Sequence, residues 1–195
     1  MTYQFTEDWF HWAPGIWEQL APMLPDRKMF LEIGSYEGRS AVWIVENLME
    51  DGGVIHCVDT WEGGEEHGDM SGVESRFISN SVAAGMAYPQ RLIEKHKEKS
   101  SDYLAAAIPY MKERHDFIYI DGSHVAKDVL TDVVMAWPLL KPNGIMVMDD
   151  YAWGDPRDIL HRPKIAVDAF VNIFSEDVEF VYCGYQMIIR KKKHV

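Results

Sequence analysis

The chain has 195 residues, of which 47% are hydrophobic, which is sufficient for one α/β domain (1–195) with a substantial core. Its formal net charge of −12 opposes binding to nucleic acid, because the only basic run, 190–193, is short. No apolar run approaches the length of a membrane span and residues 1–12 lack a signal pattern, so we expect a cytoplasmic protein that does not bind membranes.

The first predicted segment, 1–28, is rich in aromatic residues, among them Trp9, Phe10, Trp12 and Trp17. These side chains could line a substrate pocket or a homodimer contact, and ordinary packing against a sheet is the simpler interpretation.

Strands and helices alternate through the rest of the chain. Apolar runs predict strands at 29–33, 54–58, 90–95, 116–121 and 144–149. Helical spacing of apolar residues predicts helices over 40–49, 125–140 and 165–174, and a serine or aspartate cap at 101 or 102 predicts another to about Lys112. Strands at 178–181 and 186–190 predict a C-terminal β-hairpin. Such alternation is typical of a parallel sheet covered by helices.

The first strand runs into a glycine turn that opens a helix, in the stretch Phe30–Ser40. Gly34 and Gly38 allow a sharp turn and close approach of a ligand, and Ser40 lies in the first turn of the helix. Tyr36 stands where a dinucleotide-binding turn has its second glycine. The pattern is therefore E-x-G-x-x-x-G, which disfavours a dinucleotide; a turn that needs glycine only for packing is the alternative.

Polar residues follow the second strand at Asp59-Thr60-Trp61. Ligands of open α/β sheets bind beyond the carboxyl ends of the strands, so we expect the Asp59 carboxylate to accept hydrogen bonds from ribose hydroxyls. Trp61 could stack on an adenine ring or serve in packing.

Acidic residues follow the fourth and fifth strands. Asp121 ends one, and Asp149 and Asp150 end the other, so neighbouring strands would bring three carboxylates together. Such a cluster needs protons or a cation, and oxygen ligands suit Mg²⁺ first, with Ca²⁺ or Mn²⁺ as alternatives. The simpler interpretation is one helix cap and one solvated carboxylate.

The stretch Leu31–Val42 resembles the first motif of class I S-adenosylmethionine-dependent methyltransferases, and its amino-acid sequence is especially similar to that of the metal-dependent, catechol O-methyltransferase-like branch. This resemblance implies a Rossmann-like fold with a mostly parallel seven-stranded sheet, helices on both faces and a C-terminal antiparallel hairpin. It implies that S-adenosylmethionine contacts these residues: Glu32, Gly34, Ser35, Tyr36, Gly38, Ser40, Asp59, Thr60, Trp61, Ser100, Ser101 and Asp121. It also implies a divalent metal held by Asp121, Asp149 and Asp150. Ser100 and Ser101 are equally well explained as a helix cap.

His124 lies three residues after Asp121, where catechol-type enzymes have lysine. The form Asp-Gly-x-His resembles instead the branch of macrocin, sugar and macrolide O-methyltransferases, the methyltransferase family 24 type. Imidazole titrates near neutrality, so His124 with Asp121 is the predicted catalytic pair, with His124 as general base. Capping the next helix or orienting a metal ligand is the alternative role.

The sequence thus predicts methyl transfer to a small hydroxylated acceptor, such as a diol, a sugar or a phenol. A metal-dependent hydrolase or hydroxylase, and a cofactor-binding protein without turnover, are the alternatives. The acidic stretch 62–69 reads as a solvated loop that could act as a lid.

Overall fold

The structure, a computed structural model, describes residues 2–64, 68–154 and 158–193 and is built on one seven-stranded sheet. The strands are β1 (Met29–Ile33), β2 (Val54–Asp59), β3 (Leu92–Lys97), β4 (His115–Ile120), β5 (Leu140–Met148), β6 (Val178–Cys183) and β7 (Met187–Lys191). Their order is β3-β2-β1-β4-β5-β7-β6. Strands β1 to β5 are parallel, and β7 is antiparallel to both neighbours. The predicted sheet and hairpin are therefore confirmed.

Helices connect and cover the strands. They are α1 (Pro14–Trp17), continued by a 3-10 segment (Glu18–Met23); α2 (Arg39–Trp43), continued by a π-helical turn (Ile44–Leu48); α3 (Val73–Ala87); α4 (Ser100–Met111); α5 (Ala126–Ala136), continued by a 3-10 turn (Trp137–Leu139); and α6 (Pro163–Ile173), preceded by a 3-10 turn (Ile159–His161). Among the described residues, no helix combines the length and the apolar character that crossing a membrane requires.

The sheet has a hydrophobic core on each face, because successive strand residues point to opposite sides. Leu31, Ile118 and Met146 face α4, α5 and α6. Phe30 and Phe117 face the other side, where α2, α3 and the N-terminal segment pack. Trp17 from α1 is fully buried there, so packing against the sheet, the simpler interpretation, holds for this residue.

Three elements differ from the sequence prediction. Strand β3 begins two residues later than expected, and α3 was not predicted because its small and polar residues form no continuous apolar stripe. Strand β5 already begins at Leu140, four residues before its expected start at 144; a register shift opposite His115–Phe117 and a left-handed backbone at Asn143 (φ 65°) accommodate the added stretch. Of the expected acidic loop 62–69, residues 65–67 lie outside the described residues.

Gly34 is held directly against the end of β4. Its φ is 83°, and a Cβ there would lie 2.0 Å from the carbonyl oxygen of Asp121 and 2.7 Å from the Cα of Gly122. These are backbone atoms, which cannot move aside to relieve such a contact as the end of a flexible side chain can. Glycine at 34 is therefore required by the approach of the two strand ends, whatever ligand binds nearby.

Replacing Gly34 by alanine should destabilise the fold by at least about 3 kcal/mol, because it adds both a left-handed alanine and a backbone clash. Gly85→Ala is the matched control, since nothing lies within 4 Å of the added methyl and the position is inside α3. That variant should be as stable as the wild type or slightly more stable. Urea unfolding of both proteins measures the difference, and equal midpoints would refute the packing role of Gly34.

Candidate functional site

The candidate site lies at the carboxyl edge of the four central parallel strands. Backbone hydrogen bonds continue the sheet past the strand ends and place the following residues side by side. These bonds join Gly34 N to Val58 O (2.9 Å), Asp121 N to Ile33 O (2.8 Å) and Asp149 N to Ile120 O (2.9 Å).

Asp59 ties the glycine turn to the end of β2. Its Oδ2 accepts hydrogen bonds from the backbone N–H groups of Ser35 and Tyr36, both at 2.9 Å, and its Oδ1 accepts one from Trp61 N at 2.7 Å. Tyr36 and Trp61 both have a left-handed backbone, with φ of 48° and 55°. Oδ2 thus already accepts two hydrogen bonds, whereas Oδ1 accepts one and can accept a second, so Asp59 shapes the turn and keeps acceptor capacity for a ligand at Oδ1.

Trp61 is only 5% exposed. Its indole Nε1 donates to the carbonyl of Tyr36 at 2.8 Å, and its ring meets Phe77 at 4.9 Å and the Lys95 ammonium at 4.7 Å. The residue is thus a packing element of the turn, and stacking on adenine stays a prediction. The hydroxyl of its neighbour Thr60 accepts from Glu62 N at 3.2 Å.

Glu32 lies fully buried beneath the turn, where Ser40 of α2 donates a hydrogen bond of 2.5 Å to Oε1. Burial raises the pKa of Glu32 to about 7. Gly38 starts α2 with φ 79°, and a Cβ there would lie 2.9 Å from the ring of Phe77. Both glycines of the motif thus have an internal packing reason besides any ligand.

The acidic cluster, defined as Asp121, Asp149 and Asp150, forms as predicted at the ends of β4 and β5. The Tyr119 hydroxyl contacts the carboxylates of both Asp121 (2.8 Å) and Asp149. One phenolic proton cannot be donated to both, so a further proton or a cation is needed. Burial and the neighbouring carboxylates raise the pKa of Asp121 well above its usual value and that of Asp149 to about 6.

A buried relay of hydrogen bonds holds Asp149 on the face of the sheet where Trp17 packs. Gln186, at the hairpin, donates from Nε2 to Asp149 Oδ2 at 2.9 Å, and the Trp17 indole donates to Gln186 Oε1 at 2.8 Å. Both residues are fully buried. The amide cannot turn without losing two hydrogen bonds, so the carboxylate is fixed in place.

His124 contacts the cluster through Asp150, with 2.7 Å between Nε2 and Oδ2. Tyr185 donates to Asp150 Oδ1 at 2.8 Å, and the rings of His124 and Trp153 lie 4.5 Å apart. One ligand atom each from Asp121, His124 and Asp150 lies within 4.8 Å of the other two. His124 therefore lies among the potential metal ligands together with Asp121 and Asp150, and Asp149 lies next to this group.

Ser100 and Ser101 are the first two residues of α4, but the predicted helix cap by these residues or Asp102 is wrong, because the N-cap residue is Lys99 and no side-chain hydrogen bond caps the helix. The Ser100 hydroxyl instead contacts the buried carboxyl of Asp132. Burial raises the pKa of Asp132 to about 6. Sequence reasoning missed four polar residues that complete the site, Tyr119, Asp132, Tyr185 and Gln186, and it considered Trp17 only as an aromatic residue for packing, a pocket wall or a dimer contact. The period of two along β4 places Tyr119 on the same face as Asp121 and was the available signal; Gln186 offered none.

Carboxyl groups surround the turn and set its preference for ligands. Glu32 and Asp121 are buried acids with raised pKa, and Asp59 lies beside them. A ligand with positive groups would stabilise these carboxylates, whereas a pyrophosphate would be repelled. The donor set therefore fits a cationic cofactor and, at the acidic cluster, a divalent cation bound through oxygen.

A family model described as a methyltransferase domain matches residues 31–151, which include the glycine turn and the whole acidic cluster. No curated protein sequence matches the chain.

Solved structures share the fold at low sequence identity. The O-methyltransferase TomG from Streptomyces achromogenes, in complex with S-adenosylmethionine, is 19% identical over 93% of this chain and 80% of its own, with a TM-score of 0.69. An O-methyltransferase from Bacillus cereus, in complex with S-adenosylhomocysteine, is 18% identical over 93% and 81%, with a TM-score of 0.65. The mycinamycin methyltransferase MycE, in complex with Mg and S-adenosylhomocysteine, is 14% identical over 96% and 51%, with a TM-score of 0.63.

The raised pKa values of the acidic cluster predict how metal affects stability. Without a cation, the folded chain binds more protons than the unfolded chain between the ordinary carboxyl pKa and about 6, so the free energy of unfolding falls as pH rises through that range. Mg²⁺ should therefore raise the melting temperature more at about pH 7.5 than at about pH 5. Calorimetry in EDTA and in millimolar MgCl₂ measures this, with Asp121→Asn/Asp149→Asn as the variant that loses the effect. An equal shift at both pH values would contradict it.

Proposed function

The chain belongs to the methyltransferase domain family that its residues 31–151 match, and we propose that it transfers a methyl group from S-adenosylmethionine to a hydroxyl of a small acceptor with the help of a divalent metal. The observation that carries this proposal is the acidic cluster with His124 beside the glycine turn. It places a candidate base and a cation-binding group next to the candidate cofactor site.

The residues of the turn are suited to the cofactor by their charge and shape. Ser35, Tyr36 and Asp59 would meet its amino-acid and ribose parts, with Glu32 below them, and Trp61, Ser100 and Ser101 would lie towards adenine. S-adenosylmethionine supplies a methyl group already activated by the positive sulfonium. The protein then has to align donor and acceptor and exclude water.

The cation would be held by Asp121, Asp149 and Asp150, and the His124 imidazole beside them would act as the base. Bound there, Mg²⁺ would orient two acceptor oxygens and lower the pKa of the hydroxyl. The relay from Trp17 through Gln186 keeps Asp149 in position, and Tyr119 stabilises the carboxylate facing it.

His124 takes the acceptor proton in this proposal. Asp150, at 2.7 Å from Nε2, holds the imidazole at the cluster and stabilises it once it is protonated. The ring of Trp153 packs at a tilt against the ring of His124, and the ring of Trp12 lies 5.2 Å from that of Tyr185, so aromatic side chains border this region. They favour a small acceptor and a dry environment.

The comparisons support the proposal through what is printed for other proteins. TomG and the Bacillus cereus protein are named O-methyltransferases, and MycE has been solved with Mg, S-adenosylhomocysteine and mycinamycin VI. For this chain, a hydroxylated small molecule is accordingly the proposed acceptor class.

Calorimetry with S-adenosylhomocysteine tests the cofactor site. We expect saturable binding by the wild type and at least about tenfold weaker binding by Asp59→Ala, which removes three hydrogen bonds that shape the turn. Asp51→Ala is the matched control, because its side chain is 59% exposed and pairs with Arg91 away from the turn. Absence of binding by the wild type at millimolar ligand would refute the methyl-transfer proposal.

Transfer of labelled methyl to catechol and to methyl glycosides tests the metal and the base. EDTA should abolish transfer and Mg²⁺ should restore it, and His124→Gln should lower kcat by about 10² or more while cofactor binding persists. His11→Gln, an exposed histidine in the N-terminal segment, is the control. Transfer that persists in EDTA would remove the metal from the mechanism.

A further inference from the structure

A second group of metal-ligating side chains lies at β2 and β3, separated from the acidic cluster by β1. His56 of β2 and Glu94 of β3 are direct partners in the sheet register, and His96 follows Glu94 by two residues on the same face. Parallel strands about 5 Å apart bring such side chains within reach of one ion.

The three candidate ligand atoms are close together. His56 Nδ1 lies 3.1 Å from His96 Nε2 and 3.3 Å from Glu94 Oε2, and His96 Nε2 lies 3.9 Å from Glu94 Oε2. The circle through three points with these separations has a radius of about 2.0 Å, which equals the usual distance from Zn²⁺ to nitrogen or carboxylate oxygen. A cation could therefore contact all three atoms without movement of the backbone.

We propose that His56, Glu94 and His96 bind a divalent first-row transition metal, of which Zn²⁺ is the type that best fits two imidazoles and one carboxylate. This ligand set differs from the oxygen-rich acidic cluster, which suits Mg²⁺. The two sites thus select different metals.

The surroundings of the three residues agree with this assignment. His56 is 8% exposed, whereas the Glu94 side chain is 50% exposed, so an ion can enter from solvent. The rings of Tyr103 and His96 are 4.7 Å apart, and the buried Tyr103 hydroxyl has no hydrogen-bond partner among the described residues. A buried polar atom without a partner is costly, and a water on the metal's open position would offer one.

The metal would join the edge strand β3 to β2. Edge strands are held on one side only, so a bond through side chains of both strands resists their separation. The glycine turn meets β2 at Val58, the register partner of His96 and two residues after His56, so the site would steady the strand on which the cofactor site is built.

Titration of the untagged 195-residue chain with Co²⁺, followed by visible absorption, tests the proposal. The background is Asp121→Asn/Asp150→Asn, which silences the acidic cluster. We expect one equivalent of Co²⁺ to give the intense bands of a four- or five-coordinate site and Zn²⁺ to displace it. His96→Ala and Glu94→Gln should each weaken binding at least about tenfold, while the exposed control His11→Ala should bind as the parent does.

Both test positions are partly exposed, so their variants should keep the fold, and circular dichroism checks this. Binding that is unchanged in His96→Ala and Glu94→Gln would show adventitious binding elsewhere, and absence of binding at submillimolar Co²⁺ would leave a metal-free pair of hydrogen-bonded imidazoles. Either result overturns the proposal.

Discussion

The contact between Gly34 and the backbone of Asp121 is the constraint on which the site depends. It holds the ends of β1 and β4 closer than any side chain would permit, and the hydrogen bond from Asp121 N to Ile33 O fixes their register. From that register follow the place of the glycine turn, the reach of Asp59 to Ser35 and Tyr36, and the meeting of acids from β4 and β5. Backbone packing thus determines the geometry of the strand ends at this edge of the sheet, independently of any bound ligand.

Charge is the second determinant, and it follows from the first. Buried carboxyl groups brought together by the strand ends raise one another's pKa, and Tyr119 can supply only one proton between Asp121 and Asp149. The protein does not relieve this repulsion with lysine or arginine in the contacts described for the cluster. The carboxylates at this edge of the sheet therefore favour the binding of cations, which agrees with both a sulfonium cofactor and a divalent metal.

Much of this arrangement could be predicted from local patterns. The apolar runs predicted the strands, and the principle that ligands bind beyond parallel strand ends pointed to Asp59, Asp121, Asp149 and Asp150, whereas the role of Glu32, inside β1, was inferred only from the family resemblance. Trp61 shows the limit, because its packing on Phe77 depends on α3, a helix with no clear periodicity. Gln186 shows this limit more clearly, because no local sequence feature indicates that a glutamine at a hairpin donates a hydrogen bond to an aspartate 37 positions earlier.

The relay from Trp17 through Gln186 to Asp149 has a consequence for the chain during its synthesis. Both donors lie outside the residues 31–151 that match the family model, one before and one after them. Asp149 leaves the ribosome before Gln186, so a nascent or truncated chain has the acids of the cluster without the amide that orients Asp149. Asp149 then lacks one of its hydrogen-bond donors, so the incomplete domain should be less stable and more easily cleaved by proteases. The hydrogen bonding of Asp149 is therefore complete only in a chain that includes the hairpin of β6 and β7.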